Sequence, residues 1–303
     1  MLMIVVMMVV IVVVMVVIVS GHGMEPTVLL FVALSSAASE VSRATVTAAN
    51  LFDLTGQVAL VTGASSGLGV RFAQVLAEAG ASVALVARRA ERLATVKDAI
   101  EQAGGRAIAI TADVLDRAAM AHAFDAAEQA FGTVTVLVNN AGIVASARAV
   151  EVTEEGWRKV IGTNLDAVFF ASQEAARRML AAGKGGAIVN IASILGFDVA
   201  KGVAPYAVSK AGVIQLTKAM AVELAFKGIR VNAIAPGWIV TDLNRDYLAS
   251  EQGAAIKREI PAGRFGEARD LDGALLLLAS GAGRFMTGQT IVVDGGQVVS
   301  VRG

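Results

Sequence analysis

The sequence predicts an α/β fold in which a parallel, doubly wound sheet of about seven strands carries helices on both faces. From Leu51 onward, short runs of Val, Ile, Leu and Ala alternate with amphipathic stretches. The strand-like runs are apolar throughout rather than at every second residue, which indicates strands buried on both faces, as in parallel sheets. Neither an internal repeat nor a linker interrupts residues 51–303, so one domain is predicted there.

Each predicted element follows from its local pattern, and right-handed crossovers connect the strands. Glycine ends several helices, as Gly80 does after the first one. In chain order, the predicted strands are QVALVTG, SVALVAR, RAIAITAD, VTVLVNNAG, GAIVNIAS, IRVNAIAPG and QTIVVDGG. The predicted helices are GLGVRFAQVLAEAG, AERLATVKDAIEQAGG, a long one over about 153–182, one over about 205–226 and a short one near 268–279.

Composition excludes several classes of function. The net charge of the chain is zero, which argues against a nucleic acid partner because phosphate binding needs a basic surface. The chain has no cysteine, so disulfides, thiol catalysis and cysteine-ligated metals are excluded. His22 and His122 are far apart in sequence and neither is part of a metal-ligand pattern. We therefore expect no metal centre, and His122 is expected on the surface of an Ala-rich helix.

The first 50 residues form a hydrophobic N-terminal extension of different composition. Residues 1–19 contain only Met, Leu, Ile and Val, which is long enough for a membrane span. The first basic residue after this run is Arg43, and none precedes it, so there is no charge asymmetry to orient a span. The codons of these four residues share their second base. A translated nucleotide repeat upstream of the true start site is therefore the favoured hypothesis.

Two alternatives for residues 1–50 stay open, a membrane anchor and an export signal. The protein is expected in the cytoplasm if the extension is a start-site artefact, and at a membrane if residues 1–19 are an anchor.

A glycine-rich turn, TGASSGLG, joins the first predicted strand to the first helix. Glycine there lets the backbone approach a pyrophosphate, while the helix N-terminus supplies N–H donors and a positive dipole. The second strand is followed by Ala87, Arg88 and Arg89 instead of the acid that holds the ribose 2′-hydroxyl of NAD. Because a guanidinium matches a phosphate, NADP(H) is the favoured cofactor and NAD(H) is possible.

Several further motifs follow in order: NNAG, GTNLDAVFF, IVNIASILG, YAVSK, APGWIVTD and VVDGG. With TGASSGLG, this ordered set resembles the short-chain dehydrogenase/reductase family in its branch of roughly 250 residues. The resemblance covers about residues 51–299. It implies a Rossmann-type fold and an NAD(P)-dependent oxidoreductase that interconverts a ketone and a secondary alcohol. It includes 3-oxoacyl reductase-like members.

The resemblance also implies roles for individual residues. The catalytic tetrad would be Asn164, Ser193, Tyr206 and Lys210. Residues that match cofactor-binding positions are Gly63, Ser65, Ser66, Gly67, Leu68, Gly69, Arg88, Asp113, Val114, Asn140, Ala141, Gly142, Pro236, Gly237, Ile239 and Thr241, with Tyr206 and Lys210.

The chemistry of ketone reduction suits these residue types. Tyr206 would exchange the proton, and Lys210, one helical turn later, is expected to lower the pKa of Tyr206 by favouring the phenolate. Ser193 would hydrogen-bond the carbonyl oxygen. Lys210 would also bind the nicotinamide ribose, and Asn164 would hold a water that links Lys210 to solvent.

The substrate stays open between 3-oxoacyl thioesters, sugars, polyols, steroids and small cyclic ketones. Val222 stands where acyl-carrier-protein reductases of the family tend to carry Arg, which weakens the first option. The loop over about 243–261 mixes apolar and charged residues and favours no substrate. The alternative function is a non-catalytic NADP sensor or scaffold on the same fold. The resemblance further implies a homodimer or homotetramer that packs the two long helices.

Overall fold

The computed structural model describes residues 50–242 and 244–300, and the predicted N-terminal extension lies outside them apart from Asn50. It confirms the seven-stranded sheet, whose strands are all paired in parallel. The strands are β1 (Val58–Thr62), β2 (Ser82–Ala87), β3 (Arg106–Thr111), β4 (Val136–Asn139), β5 (Gly186–Ile191), β6 (Ile229–Pro236) and β7 (Thr290–Val293).

Nine α-helices lie in these described ranges, and most of them connect the strands. They are α1 (Leu68–Glu78), α2 (Ala90–Gln102), α3 (Arg117–Phe131), α4 (Glu154–Ile161), α5 (Ala167–Ala181), α6 (Ala204–Leu224), α7 (Arg245–Leu248), α8 (Glu251–Arg258) and α9 (Asp272–Ala279). Within the same ranges, no helix combines the length and the apolar character that crossing a membrane requires.

The sheet separates two apolar cores, as continuous apolar strands predict. One core contains Phe72 and Leu76 of α1 with side chains of α2 and α9. The other contains Phe124 of α3 and Met179 of α5 with side chains of α6. All residues of β1 and β2 are buried, because helices cover both faces of the sheet.

The strand order β3-β2-β1-β4-β5-β6-β7 places a topological switch between β1 and β4. From β1 the chain builds the sheet outward to β3 and then returns to add β4 on the other side. Ligands bind open α/β sheets in the crevice outside the carboxyl ends of strands at such a switch. The candidate site residues must therefore be sought at this edge.

The long helix predicted over about 153–182 is interrupted. A π-helical turn, Gly162–Asp166, separates α4 from α5 and contains Asn164. Turns of this wider kind are rare in proteins, and those that occur are often found at functional sites. The helices α7 and α8 were not predicted, because four and eight residues carry too little apolar periodicity.

Candidate active site

The glycine-rich turn forms a tight backbone cradle between β1 and α1. Gly63 and Gly67 have φ of 68° and 55°, in the region that favours glycine. A Cβ added to Gly63 would lie 2.9 Å from the Cα of Ala141, and one added to Gly69 would overlap the carbonyl oxygen of Gly63. At Gly63 and Gly69 the neighbouring backbone is therefore so close that only glycine fits.

The segment after β4 locks this cradle from the side. The amide of Asn140 donates to the carbonyl oxygens of Thr62 (3.0 Å) and Gly63 (3.3 Å). The hydroxyl of Thr62 accepts from the backbone N–H groups of Asn140 (3.0 Å) and Ala141 (3.1 Å). Asn140 thus holds the backbone of the glycine-rich turn in place.

The arginines after β2 have different surroundings. Arg88 is 74% exposed, and its guanidinium lies 3.7 Å from the carboxylate of Asp113. Arg89 instead donates to the hydroxyls of Ser65 (3.0 Å) and Ser66 (2.8 Å), two residues of the glycine-rich turn. The sequence motif predicted Arg88 as a cofactor-binding residue, whereas in the structure it is Arg89 that contacts the cradle.

These residues fit a dinucleotide. The N-terminus of α1 has no side-chain acceptor, so its first backbone N–H groups are available to a phosphate. Arg88 and Arg89 supply positive charge beside it. Leu68 is partly buried against the core that contains Phe72, and Val114 is partly buried against the core that contains Phe124.

Asn164 is fully buried and its amide is fully engaged. Its oxygen accepts from the N–H of Ile143 (2.9 Å), and its nitrogen donates to the carbonyl of Ile143 (2.9 Å) and to the hydroxyl of Ser209 (3.1 Å). Ser209 in turn donates to the carbonyl of Tyr206 (2.7 Å). The side chain of Asn164 therefore joins the segment after β4 to the first turn of α6.

Lys210 is 5% exposed and donates from Nζ to the carbonyl of Ile191 (2.7 Å) at the end of β5. A Cβ on Gly142 would lie 3.7 Å from this Nζ. Burial lowers the pKa of Lys210 to about 8, because the charged form loses hydration. The amine still carries its proton at neutral pH.

Tyr206 lies in the first turn of α6, with its hydroxyl close to Ser193. Burial raises the pKa of Tyr206, and the neighbouring hydroxyl of Ser193 opposes this only in part. The expected net lowering of the Tyr206 pKa is therefore wrong, because burial outweighs any effect of Lys210, whose Nζ lies 5.6 Å from the ring centroid and binds Ile191. The phenol stays protonated at neutral pH.

Ser193 follows β5 in extended conformation, 8% exposed, and its hydroxyl accepts from the N–H of Leu195 (3.1 Å). The structure thus brings Ser193, Tyr206 and Lys210 together, with Asn164 beneath the same turn of α6.

The loop after β6 reaches back toward the cradle. Pro236 ends β6 and is buried, and Gly237 donates its N–H to the carbonyl of Val293 (2.9 Å). A Cβ on Gly67 would lie 3.6 Å from the Cγ2 of Thr241. Buried Ile239 anchors this loop in the core beside α1.

Below the site lies a buried polar network that the sequence analysis missed. Asn139 donates to Ser172 (2.8 Å) and to Asn190 (2.9 Å), and Asn190 donates to Thr217 (2.9 Å). These bonds connect β4, β5, α5 and α6. The signal in the sequence was a polar residue inside each apolar segment, which requires a buried partner.

The strand order, the switch point and the glycine cradle define a Rossmann-type α/β protein. A family model described as "Enoyl-(Acyl carrier protein) reductase" matches residues 63–297. The chain is 39% identical over 253 residues to gluconate 5-dehydrogenase of Gluconobacter oxydans, covering 83% of this chain and 98% of that protein. It is 42% identical over 239 residues to 3-oxoacyl-[acyl-carrier-protein] reductase of Staphylococcus aureus, covering 78% and 96%.

A solved structure of similar form is gluconate 5-dehydrogenase from Burkholderia cenocepacia in complex with NADP and tartrate. It is 38% identical, with a TM-score of 0.80, and the match covers 84% of this chain and all of that one. The chain belongs to the short-chain dehydrogenase/reductase family, and it is an oxidoreductase of that family.

Proposed function

We propose that the protein interconverts a ketone and a secondary alcohol with NADP(H), and that Tyr206 exchanges the proton. One observation carries this proposal: a protonated tyrosine lies next to Ser193 and buried Lys210, at the sheet edge that bears the glycine cradle. Three chemically matched groups converge there.

The cofactor would be held by the cradle and α1, with its 2′-phosphate at Arg88 and Arg89. NADPH, when bound, supplies the hydride that reduces the carbonyl carbon. NADP in the complex of the Burkholderia relative supports this choice. The remaining cofactor contacts are proposed for Asp113, Gly142 and the loop from Pro236 to Thr241.

During reduction, the phenol of Tyr206 donates its proton to the carbonyl oxygen as the carbon gains a hydride, so that an alcohol forms. The raised pKa of Tyr206 keeps it in the protonated form that this direction requires. Ser193 would donate its hydroxyl hydrogen to the same oxygen and fix its position before transfer.

Lys210 would place a positive charge under the developing tyrosinate and stabilise it. Its ammonium can also contact the ribose of the cofactor, since Gly142 leaves open space beside Nζ. Asn164 would position Tyr206 through Ser209, because Asn164 donates to the hydroxyl of Ser209 (3.1 Å) and Ser209 donates to the carbonyl of Tyr206 (2.7 Å).

Exchange of Tyr206 for Phe tests this function. We expect Tyr206→Phe to lower kcat for NADPH-dependent ketone reduction about a thousandfold or more, since no other group delivers the proton. Fluorescence titration with NADPH should give an unchanged Kd. Equal turnover by the variant would disprove the role of Tyr206. Absence of turnover by the wild type over a broad ketone panel would favour the NADP sensor.

A homodimer or homotetramer through α5 and α6 stays a prediction, which the molar mass in solution by light scattering would test.

A further inference from the structure

Three loops surround Tyr206 where β4, β5 and β6 end. We call them the substrate walls: residues 143–148, residues 194–203, and residues 237–242 with 244–248. They leave neighbouring strands at the carboxyl edge of the sheet, which is where the site groups lie.

Close contacts connect each wall to the site. Asn164 clamps Ile143 at the start of the first wall. In the second wall, a Cβ on Gly196 would lie 2.9 Å from the carbonyl oxygen of Lys210. The first and second walls are joined by a hydrogen bond from the N–H of Ala147 to the carbonyl of Gly202 (2.9 Å). The third wall reaches the cradle at Thr241, as described above.

Large apolar side chains are exposed on all three walls. The exposed fractions are 58% for Val144, 50% for Phe197, 71% for Val199 and 49% for Tyr247. Trp238 is half-buried and packs near Tyr247, with ring centroids 6.1 Å apart. Exposed apolar groups gathered on three loops at one edge of the sheet indicate a surface that a ligand covers.

Many polar side chains of the walls are already engaged with the protein itself. Asn244 accepts from the N–H and hydroxyl of Thr241 and donates to the carbonyl of Ile239. Arg245 pairs with Asp242 at 3.2 Å. Among the described residues of the walls, the other exposed polar groups are the side chains of Ser146, Arg148, Lys201 and Asp246 and the hydroxyl of Tyr247.

We propose that the substrate is a ketone that carries an apolar ring or hydrocarbon chain beside its carbonyl group. The inference rests on the proposed function and names the substrate class of the same site. Apolar substrate surface would displace water from the valines and aromatic rings of the walls, which favours binding. A polyhydroxylated substrate would lose hydrogen bonds to water wherever it lies against these apolar side chains.

This assignment differs from the names of the two gluconate dehydrogenases to which the chain is similar. Identities of 38–39% leave room for changes in loops, where specificity resides. The fold and the tetrad positions can be shared while the walls select another ketone.

The test compares four ketones with NADPH as cofactor. Two are apolar, 1-tetralone and 2-decanone, and two are polar, 5-ketogluconate and dihydroxyacetone. We expect kcat/KM for the better apolar ketone to exceed that for both polar ones about tenfold or more. The variant Phe197→Ala should lower kcat/KM for that apolar ketone about tenfold, mainly by raising KM.

The matched control is Phe285→Ala, which removes an exposed phenyl ring outside the walls. It should leave all four rates unchanged. Preferred turnover of 5-ketogluconate would overturn the apolar substrate while the proposed function stands. An unchanged KM in Phe197→Ala would overturn the role of this wall. Lack of turnover for every ketone would instead overturn the proposed function.

Discussion

The floor of the site and its walls differ in the burial and the hydrogen bonding of their side chains. The floor consists of buried groups whose hydrogen bonds close within the protein, such as Asn164, Lys210 and the cradle from Gly63 to Gly69. The walls are exposed loops whose apolar side chains have little covering. Buried polar groups tolerate few alternatives, whereas exposed ones can be exchanged. The comparison therefore separates a floor that fixes the positions of the reacting groups from walls whose side chains contact the substrate and can be exchanged.

The sharpest test of the floor is Gly69→Ala. The new Cβ would overlap the carbonyl oxygen of Gly63, so the cradle must distort or fail to form. We expect loss of measurable NADPH binding, about a hundredfold or more in Kd, by fluorescence titration. The control is Gly273→Ala in α9, where a Cβ meets open space, and it should retain binding. Unchanged binding in Gly69→Ala would show that the floor tolerates change as the walls do.

The next test removes the clamp on Ile143. Asn164→Ala leaves the N–H and carbonyl of Ile143 without their buried partner. We expect the free energy of unfolding in urea to fall by about 3 kcal/mol, because buried unsatisfied groups are costly. Asn164→Asp keeps an acceptor for the N–H but sets a carboxylate oxygen against the carbonyl of Ile143, so it should also be destabilising. A change below about 0.5 kcal/mol for Asn164→Ala would contradict the clamp.

The buried charge of Lys210 makes the stability of the floor depend on pH. The pKa falls from 10.5 to about 8 on folding, so the unfolded chain binds more protons between these values. The cost of burying the ammonium is full below about pH 8 and is relieved as pH rises toward 10.5.

Compared with Lys210→Met, the wild type should therefore gain about 3 kcal/mol of unfolding free energy from pH 8 to 10.5. Urea unfolding at several pH values measures this. The raised pKa of Tyr206 acts in both proteins and cancels in the difference. Lys218→Met, on the exposed side of α6, should show no such gain. A flat difference for Lys210→Met would refute the buried charge.

The smallest expected effect concerns the two arginines of the cofactor site. Arg89→Ala removes the guanidinium that contacts Ser65 and Ser66, and it should raise KM for NADPH about tenfold while KM for NADH stays constant. Arg88→Ala should change KM for NADPH less, since Arg88 is more remote from the cradle. Steady-state kinetics with both cofactors decide the order. The reverse ranking would restore the sequence-based choice of Arg88.

Much of the fold was predictable because its signals are local and redundant. Continuous apolar strands, glycine at helix ends and strict alternation all indicated the parallel sheet, which the structure confirms. The π-helical turn at Asn164 was not predictable, since its cause lies in tertiary hydrogen bonds to Ile143 and Ser209. Apolar periodicity continues through such a turn almost unchanged.

For the site, the order of the motifs predicted which residues lie together but not which hydrogen bonds they form. The structure places Tyr206 by Ser193 and Lys210, as the motifs implied. The direction of the Tyr206 pKa was mispredicted because burial depends on every surrounding segment. Arg88 and Arg89 are adjacent in sequence, and only the backbone direction after β2 decides which guanidinium reaches the cradle.

The hydrogen bond from Ala147 to Gly202 has a consequence for traffic through the site. It fastens two of the three loops to each other, so neither can swing aside alone. In the described part of the chain, the third loop makes no backbone hydrogen bond of this kind to either of the other two. We therefore expect substitutions near α7 to shift this loop without shifting the other two.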